Sequence, residues 1–228
     1  MTAQRAATKG SVASDAAGLR VTEIFHSLQG EGLTTGERTV FVRLTGCPLR
    51  CVYCDSAYAF SGGRRMDIAA ILAQIADYSV RYVCVTGGEP LAQPGCRSLL
   101  AALCGAGYLV SLETSGALDL TGLDPRVVKV MDLKTPGSGE EHRNRYANLA
   151  CLTPADQIKF VLCDRDDYRW AVEQIRVHRL ERLCPLLFSP AAGRLSPRDL
   201  ADWILSDRLP VRMQIQLHKL LWGDAPGH

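Results

Sequence analysis

The chain has 228 residues, of which 47% are hydrophobic and 22% are charged, and its formal net charge is +2. This length suits one sizeable core or at most two small ones, and the composition excludes disordered and fibrous proteins. The sequence has no run of about 18 apolar residues, which excludes a membrane-spanning helix, and the balanced charge gives no reason to expect a nucleic-acid or acidic-membrane surface.

Eight β-branched segments predict strands, and helical patterns lie between them. The predicted strands are 22–27, 39–44, 81–86, 108–113, 127–133, 157–162, 182–188 and 211–217. Apolar residues at helical spacing predict helices around 68–75 and 168–175. A third helix is predicted where Ser196, Pro197 and Asp199 supply an N-cap, an N1 proline and an N3 acid.

This alternation of strands and helices predicts an α/β fold with parallel pairing, because parallel neighbours need a long crossover that a helix makes compactly. About six β/α units fit the chain, fewer than the eight of a complete TIM barrel of roughly 250 residues. We therefore predict a partial, shortened TIM-like parallel β/α barrel. Its ligand site should lie beyond the carboxyl ends of the strands.

The chain contains nine cysteines. An odd number, without the dense framework of small secreted domains, indicates a reducing compartment, which we expect to be the cytoplasm. Residues 1–18 are rich in Ala, Ser and Thr but lack the continuous apolar core of a secretory signal. We interpret them as a flexible N-terminal leader, with a transit peptide as the alternative, and we expect residues 19–228 to form one domain.

Three of the cysteines, Cys47, Cys51 and Cys54, directly follow the predicted strand 39–44 in the spacing C-x3-C-x2-C. A structural zinc needs four protein ligands, whereas three thiolates on an iron–sulfur cubane leave one iron open for a ligand that is not protein. The pattern favours a 4Fe-4S cluster, and a zinc site completed by a distant residue is the alternative. The remaining cysteines are interpreted as small, buried or partly buried apolar side chains. They are Cys84, Cys96, Cys104, Cys151, Cys163 and Cys184.

This cysteine loop, with Tyr53 before its third cysteine, resembles the signature of the radical S-adenosylmethionine (SAM) superfamily. The segment Thr86-Gly87-Gly88-Glu89-Pro90 is similar to the superfamily's GGEP segment, although such a sequence is first of all a turn. The resemblance implies that SAM binds the open iron and that the reduced cluster cleaves it to a 5′-deoxyadenosyl radical, while the protein positions and shields the cofactor.

The resemblance also implies a set of SAM contacts at the ends of the predicted strands. They are Tyr53, Cys54, Asp55, Gly88, Glu113, Asp132, Leu133, Lys134 and Ser189. From the residues alone, the polar strand ends at Glu113 and Asp132 are equally explained as solvated loops.

Three further segments are similar to the 7-carboxy-7-deazaguanine synthase family. They are Leu28-Gln29-Gly30-Glu31-Gly32, Arg43 with Leu44-Thr45-Gly46, and Gln216-Leu217-His218-Lys219. The resemblance runs from about residue 22 to the C-terminal region. It implies a lyase that converts 6-carboxy-5,6,7,8-tetrahydropterin to 7-carboxy-7-deazaguanine with loss of ammonia, a step of deazapurine and queuosine biosynthesis that serves tRNA modification.

The implied substrate contacts are Leu28, Gln29, Gly30, Glu31, Arg43, Thr86 and His218. The amide of Gln29 and the carboxylate of Glu31 suit the donors and acceptors of a pterin edge, and Arg43 suits a forked pair with the substrate carboxylate. A surface salt bridge is the alternative for Arg43, and a structural role at a strand end is the alternative for His218.

The resemblance gives the hydroxyl of Ser56 a role in binding Mg²⁺, which prefers oxygen ligands. Asp55 could otherwise cap the following turn. No side chain is implied as a nucleophile. The partners implied are the pterin, an electron donor such as flavodoxin or ferredoxin, and a second copy in a homodimer, with no nucleic acid and no membrane.

Two other functions stay open from the sequence. A glycyl-radical-enzyme activase carries similar GCPLRC and GGEPL segments, but LQGEG and the LHK ending argue against it. A zinc-stabilised binding protein without catalysis is the second. The residues after Lys219 extend beyond the LHK segment, and the sequence leaves their role open.

Overall fold

In a computed structural model of the chain, residues 18–223, 225 and 227 are described, so the predicted leader lies outside the described residues except for Gly18. The strands are β1 (Leu19–Leu28), β2 (Arg38–Leu44), β3 (Arg64–Met66), β4 (Tyr82–Gly87), β5 (Leu109–Thr114), β6 (Val128–Asp132), β7 (Gln157–Leu162), β8 (Leu186–Pro190) and β9 (Arg212–Met213). The helices are α1 (Ile68–Ala76), α2 (Cys96–Gly105), α3 (Arg165–His178), α4 (Pro197–Asp207) and α5 (Leu217–Trp222).

The strands form one sheet in the order β3-β1-β2-β4-β5-β6-β7-β8-β9. All pairs from β2 to β9 are parallel, and the sheet is open because β3 and β9 are its two edges. The predicted partial β/α barrel is thereby confirmed. The antiparallel edge of β1 and β3 was not predicted; β1 runs antiparallel because only a short loop, residues 29–37, joins it to β2.

One face of the sheet packs against the helices in two apolar clusters. In the first cluster Val83 and Val85 of β4 pack with residues of α1 and α2. In the second cluster, the rings of Phe160 of β7 and Phe188 of β8 pack edge to face with their centroids 5.5 Å apart, and Tyr168 of α3 packs on Phe188. Since successive side chains of a strand point to opposite faces, the residues between these positions face away from the helices.

The helices predicted at 68–75 and 168–175 correspond to α1 and α3, and Ser196 caps α4 by accepting from the backbone N–H of Asp199. The strand predicted at 182–188 is wrong for residues 182–185, because a 3-10 helix runs to Arg182 and β8 starts only at Leu186. The predicted strand 211–217 is reduced to β9, because the chain then leaves the sheet and Leu217 starts α5. Within the described part of the chain, no helix is long and apolar enough to cross a membrane.

A buried carboxylate holds the turn that follows β6. Asp167 on α3 accepts hydrogen bonds from Thr135 Oγ1 at 2.9 Å, from the Gly137 N–H at 2.7 Å and from the Cys163 N–H at 2.9 Å. A Cβ at Gly137 would overlap this carboxylate. Asp167 therefore connects the turn after β6 to the start of α3.

We predict that Asp167→Ala lowers the free energy of unfolding by about 3 kcal/mol, because two buried donors and one partly buried donor lose their acceptor. Asp166→Ala is the matched control, since Asp166 is a neighbour on α3 with a side chain 88% exposed. Urea unfolding of both variants measures the difference. Equal stability of the two variants would contradict the role given to Asp167.

Candidate active site

A cavity of about 970 Å³ opens at the carboxyl ends of the parallel strands. Its walls carry Arg43 from β2, Thr86 from β4, Glu113 from β5, Asp132 from β6 and Lys159 from β7. These residues alternate with those that pack under the helices, as the period of a strand requires. The polar side chains meet because parallel strands end at the same edge of the sheet.

Nearly all the residues predicted for the site line this single cavity. They are Leu28, Gln29, Gly30, Glu31, Arg43, Cys47, Cys51, Tyr53, Cys54, Asp55, Ser56, Thr86, Gly88, Glu113, Asp132, Lys134 and His218. Two predicted residues, Leu133 and Ser189, do not line it and are each only 1% exposed. Leu133 packs in the second apolar cluster, since strand alternation turns it away from the side chains of Asp132 and Lys134.

The cysteine loop follows the carboxyl end of β2, and its three thiols are half-buried. The nine cysteines, all of them among the described residues, form no disulfide. Burial raises the pKa of Cys51 to about 11 and that of Cys47 above its usual value. These two thiols are therefore protonated near neutral pH, and metal binding must displace their protons. The other six cysteines are buried or partly buried, as predicted.

Backbone hydrogen bonds tie the cysteine loop to neighbouring strand ends. The Val52 N–H donates to the carbonyl of Ser138 at 3.0 Å, and the Arg50 N–H donates to Glu140 Oε1 at 2.6 Å. The Glu89 N–H donates to the carbonyl of Gly46 at 2.8 Å. The loop is thus held from both sides, by the turn after β6 and by the GGEP segment after β4.

The glycines of the GGEP segment allow this close approach. A Cβ at Gly88 would overlap the carbonyl oxygen of Gly46 and would lie 2.8 Å from Cβ of Cys47. Glu89 is fully buried, and its carboxylate accepts from Thr114 Oγ1 and from both the N–H and the hydroxyl of Ser115. GGEP is therefore more than a turn, because it joins the ends of β4 and β5 to the cysteine loop.

The donor groups of the cavity suit a cluster and a polar nucleoside cofactor. Five buried side-chain polar atoms of the described residues have no hydrogen-bond partner. Two of them, Tyr53 Oη and Asp132 Oδ1, belong to residues that line the cavity, and a third, Ser189 Oγ, lies near the end of β8. Such atoms in a native protein call for a ligand or an ordered water. In the described residues, no three His, Cys, Asp or Glu side chains converge on a single metal ion, whereas a cubane binds each thiolate through a different iron.

Oppositely charged side chains are paired across the floor of the cavity. Lys159 Nζ lies 2.7 Å from Glu31 Oε2 and 3.9 Å from Asp132 Oδ2, and Lys134 Nζ lies 2.9 Å from Asp132 Oδ2. Burial alone would raise the pKa of Glu31, but the charge and the hydrogen bond of Lys159 lower it to about 2. Burial opposes the charge of both lysines, and the neighbouring carboxylates nevertheless raise the pKa of each.

Arg43 lies in a partly buried ion pair and not in a surface salt bridge. Its Nε donates to Glu23 Oε1 at 2.7 Å, and the Tyr58 hydroxyl donates to the same oxygen at 2.7 Å. The guanidinium lies over the rings of Phe25 and Tyr58 at 5.6 and 5.7 Å. Among the described residues, the hydrogen bonds of Arg43 involve Nε alone, so its terminal nitrogens remain for a ligand on the cavity side.

His218 belongs to α5, which corrects the prediction that it stands at a strand end. The Leu217 N–H donates to the carbonyl of Gly30 at 3.1 Å, and a Cβ at Gly30 would overlap Nδ1 of His218. The glycine thus lets α5 dock against the loop after β1. Deeper in the cavity, Thr86 Oγ1 donates to Glu113 Oε2 at 2.9 Å.

Sequence reasoning gave no site role to Lys159 or to the two glutamines that follow β9, although Gln216 belongs to one of the segments that carry the family resemblance. Gln214 accepts from the Gly32 N–H at 2.7 Å and donates to Glu31 at 3.3 Å, and Gln216 donates to both Glu31 and Asp55. One signal was present in the sequence, since Lys159 interrupts the apolar run of β7 on the face opposite Ile158 and Phe160.

Comparison with known proteins identifies the family. Residues 41–133 match the Radical SAM superfamily. A 7-carboxy-7-deazaguanine synthase of Chlorobaculum tepidum is 45% identical over 94% of this chain and 99% of the relative. The chain belongs to the 7-carboxy-7-deazaguanine synthase family. A second member, from Koribacter versatilis, is 44% identical over 90% of this chain and 97% of its own length.

The crystal structure of QueE from Escherichia coli has the same fold as this chain. The TM-score is 0.71 at 22% identity, and the match covers 88% of this chain and 95% of the QueE chain. Family membership decides against both the glycyl-radical-enzyme activase and the zinc-stabilised binding protein. A 4Fe-4S cluster and SAM are accordingly the cofactors of the chain.

We predict that Gly88→Ala reduces the iron content after anaerobic reconstitution, because the added Cβ would push on the carbonyl of Gly46 and on Cys47. Gly105→Ala at the end of α2 is the control, since a Cβ there meets nothing within 4 Å. Iron and sulfide assays on both variants give the comparison. A Gly88→Ala protein with wild-type iron content would show that this close contact does not hold the cysteine loop.

Proposed function

We propose that this protein is a radical SAM lyase that converts 6-carboxy-5,6,7,8-tetrahydropterin to 7-carboxy-7-deazaguanine with loss of ammonia, in deazapurine and queuosine biosynthesis. One observation carries the proposal: a single cavity brings the cysteine loop together with residues 28–31, in a chain 45% identical to a relative named for this reaction. The product of that reaction serves tRNA modification.

Cys47, Cys51 and Cys54 would hold the cluster, and the polar atoms left without partners, Tyr53 Oη and Asp132 Oδ1, would meet SAM. When bound, the cluster and SAM supply a 5′-deoxyadenosyl radical as the hydrogen-abstracting species at C6 of the pterin. Lys134, 2.9 Å from Asp132 Oδ2 and 5.8 Å from the ring centre of Tyr53, fixes both of these side chains. The remaining proposed SAM contacts that line the cavity are Cys54, Asp55, Gly88 and Glu113, whereas the two others predicted from the resemblance, Leu133 and Ser189, lie outside its lining.

The substrate would lie between the loop after β1 and the end of β2. The terminal nitrogens of Arg43 suit the substrate carboxylate, because Glu23 already holds Nε. Glu31 is ionised and accepts N–H donors from the pterin edge, and Gln29, which is 5% exposed, offers an amide beside it. Leu28, Gly30, Thr86 and His218 complete the proposed substrate contacts.

Ser56 is proposed to bind Mg²⁺ together with the substrate. Its hydroxyl lies 3.5 Å from the carbonyl oxygen of Gly87, and the carboxylate of Asp55 is adjacent in the chain. Magnesium prefers such oxygen ligands and keeps several waters. The ion would orient the substrate carboxylate and offset negative charge during the ring contraction.

The proposal includes a reductant such as flavodoxin or ferredoxin, action in the cytoplasm, and a homodimer of a single domain that spans residues 19–228. The apolar side chains of Leu220 and Leu221 on α5, which are 69% and 50% exposed, support contact with a second chain.

The function itself is tested by anaerobic assay with carboxytetrahydropterin, SAM, dithionite and Mg²⁺. Appearance of the ultraviolet spectrum of the deazaguanine product supports it, and its absence from a protein loaded with cluster contradicts it.

We predict that Cys51→Ala abolishes both the cluster and turnover, because two thiolates and a methyl group cannot hold the cubane. Cys151→Ala is the control, since Cys151 lies outside the cavity with its sulfur 3.8 Å from Thr121 Oγ1. Iron analysis and the product assay are run on both. Full iron content in Cys51→Ala would contradict the ligand assignment.

We predict that Ser56→Ala keeps the cluster but needs more Mg²⁺ for half-maximal turnover, because one oxygen ligand is lost. A Mg²⁺ titration of turnover, with iron content measured in parallel, provides the check. An unchanged titration would remove Ser56 from the metal site.

A further inference from the structure

Lys159 is a buried cation that family resemblance did not mark. It lies in the middle of β7, between Ile158 and Phe160, which pack under the helices, and its side chain is 12% exposed at the floor of the cavity. A buried lysine is costly unless a carboxylate compensates its charge. The carboxylates that Lys159 contacts must therefore compensate its charge.

Lys159 joins two parts of the cavity that are far apart in the chain. Its Nζ donates to Glu31 Oε2 at 2.7 Å, across a separation of 128 residues, and lies 3.9 Å from Asp132 Oδ2. Glu31 belongs to the substrate side of the proposed site and Asp132 to the SAM side. Asp132 already has a closer partner in Lys134, so the hydrogen-bonded partner of Lys159 is Glu31.

The carboxylate of Glu31 is almost fully used by protein donors. Oε2 accepts from Lys159 and from Gln214 Nε2 at 3.3 Å, and Oε1 accepts from Gln216 Nε2 at 3.1 Å. A carboxylate has about four lone-pair sites, so one acceptor site is left, and it belongs to Oε1. The three donors come from β7 and from the segment between β9 and α5, which fixes the direction of that site.

We propose that Lys159 is a positioning residue for substrate recognition: it keeps the Glu31 carboxylate ionised and oriented, so that its remaining acceptor site meets an N–H donor of the pterin's pyrimidine edge. This inference rests on the proposed function. Lys159 acts through Glu31 and is not assigned a contact with the reacting atoms. It therefore sets affinity for a ligand that presents N–H donors at this point.

The ionisation of the Glu31 carboxylate depends on Lys159 because of the other charges around it. Burial raises the pKa of Glu31, and the groups that lower it are Lys159, Gln216 and His218. Asp132 and Glu113 face Lys159 from β6 and β5, and Asp55 shares Gln216 with Glu31. Without Lys159 the carboxylate keeps its burial and its acidic neighbours but loses its main cation, so its pKa rises and its protonated form becomes accessible.

The experiment measures binding of 6-carboxytetrahydropterin to the reconstituted holoenzyme with SAM, anaerobically and without reductant, by equilibrium dialysis over a pH series. We expect Lys159→Met to weaken binding by about tenfold. Wild-type affinity should not fall at mildly acidic pH, because the pKa of Glu31 is about 2. In Lys159→Met the affinity should fall as the pH is lowered through the raised pKa of Glu31, and Lys159→Arg should restore part of it.

A matched control exists in the same sheet. The side chain of Lys129 on β6 is 6% exposed, less than that of Lys159, and pairs with Asp156 at 3.0 Å, but it lies outside the cavity. Lys129→Met should lower thermal stability and leave pterin affinity at the wild-type value. A loss of affinity in Lys129→Met as large as that in Lys159→Met would overturn the inference, because the effect would then follow from removing any buried lysine.

A double-mutant cycle tests whether Lys159 acts through Glu31. Adding Lys159→Met to Glu31→Gln should cause no further loss of affinity, and an additive loss would overturn the inference. Lys159→Gln replaces Lys159→Met in the cycle if the latter does not fold. If the wild-type holoenzyme binds the pterin and Lys159→Met binds it equally well, only this inference is overturned. If the wild-type holoenzyme binds SAM but no pterin, the proposed function is overturned as well.

Discussion

The backbone of the cysteine loop is held between the segments that follow β4 and β6, and the rest of the site is built around that constraint. The carbonyl of Gly46 accepts from the Glu89 N–H, and the Val52 N–H donates to Ser138. The first contact requires Gly88 to lack a side chain, since a Cβ would overlap the loop. These contacts place three thiols at the carboxyl edge of a parallel sheet, where the other strands also deliver their polar side chains.

Charge pairing organises the remainder of the cavity. Glu23 with Arg43, Glu31 with Lys159, and Asp132 with Lys134 form three partly buried ion pairs that run from the substrate side to the SAM side. Burying either partner of a pair alone would be costly, so each pair fixes two side chains before any ligand arrives. Among the described residues, the groups that stay available for ligands include the terminal nitrogens of Arg43, one acceptor site on Glu31, Oδ1 of Asp132 and the hydroxyl of Tyr53. A site prepared in this way suits a reaction whose reactive species comes from the cofactor.

Local pattern predicted most of the strands, three helices and the edge at which the motifs meet, because these follow from residue period and from motif position after strands, but it predicted neither β3 nor α2. Contacts between residues far apart in the chain determine the features that local pattern did not predict. The pairing of Lys159 with Glu31 depends on the register of β7 against a loop 128 residues away, which no local pattern encodes. The β-branched segment 211–217 failed as a strand because Leu217 donates to Gly30 instead of continuing in the sheet, and that change also moved His218 into a helix.

Electron paramagnetic resonance of the anaerobically reconstituted, dithionite-reduced protein, recorded before and after addition of SAM, tests the central claim most directly. If three thiolates leave one iron open, the reduced protein gives a cluster signal whose shape changes with SAM, because that iron gains a ligand. A signal that SAM leaves unchanged, or a colourless protein that contains zinc and no iron, would contradict the account.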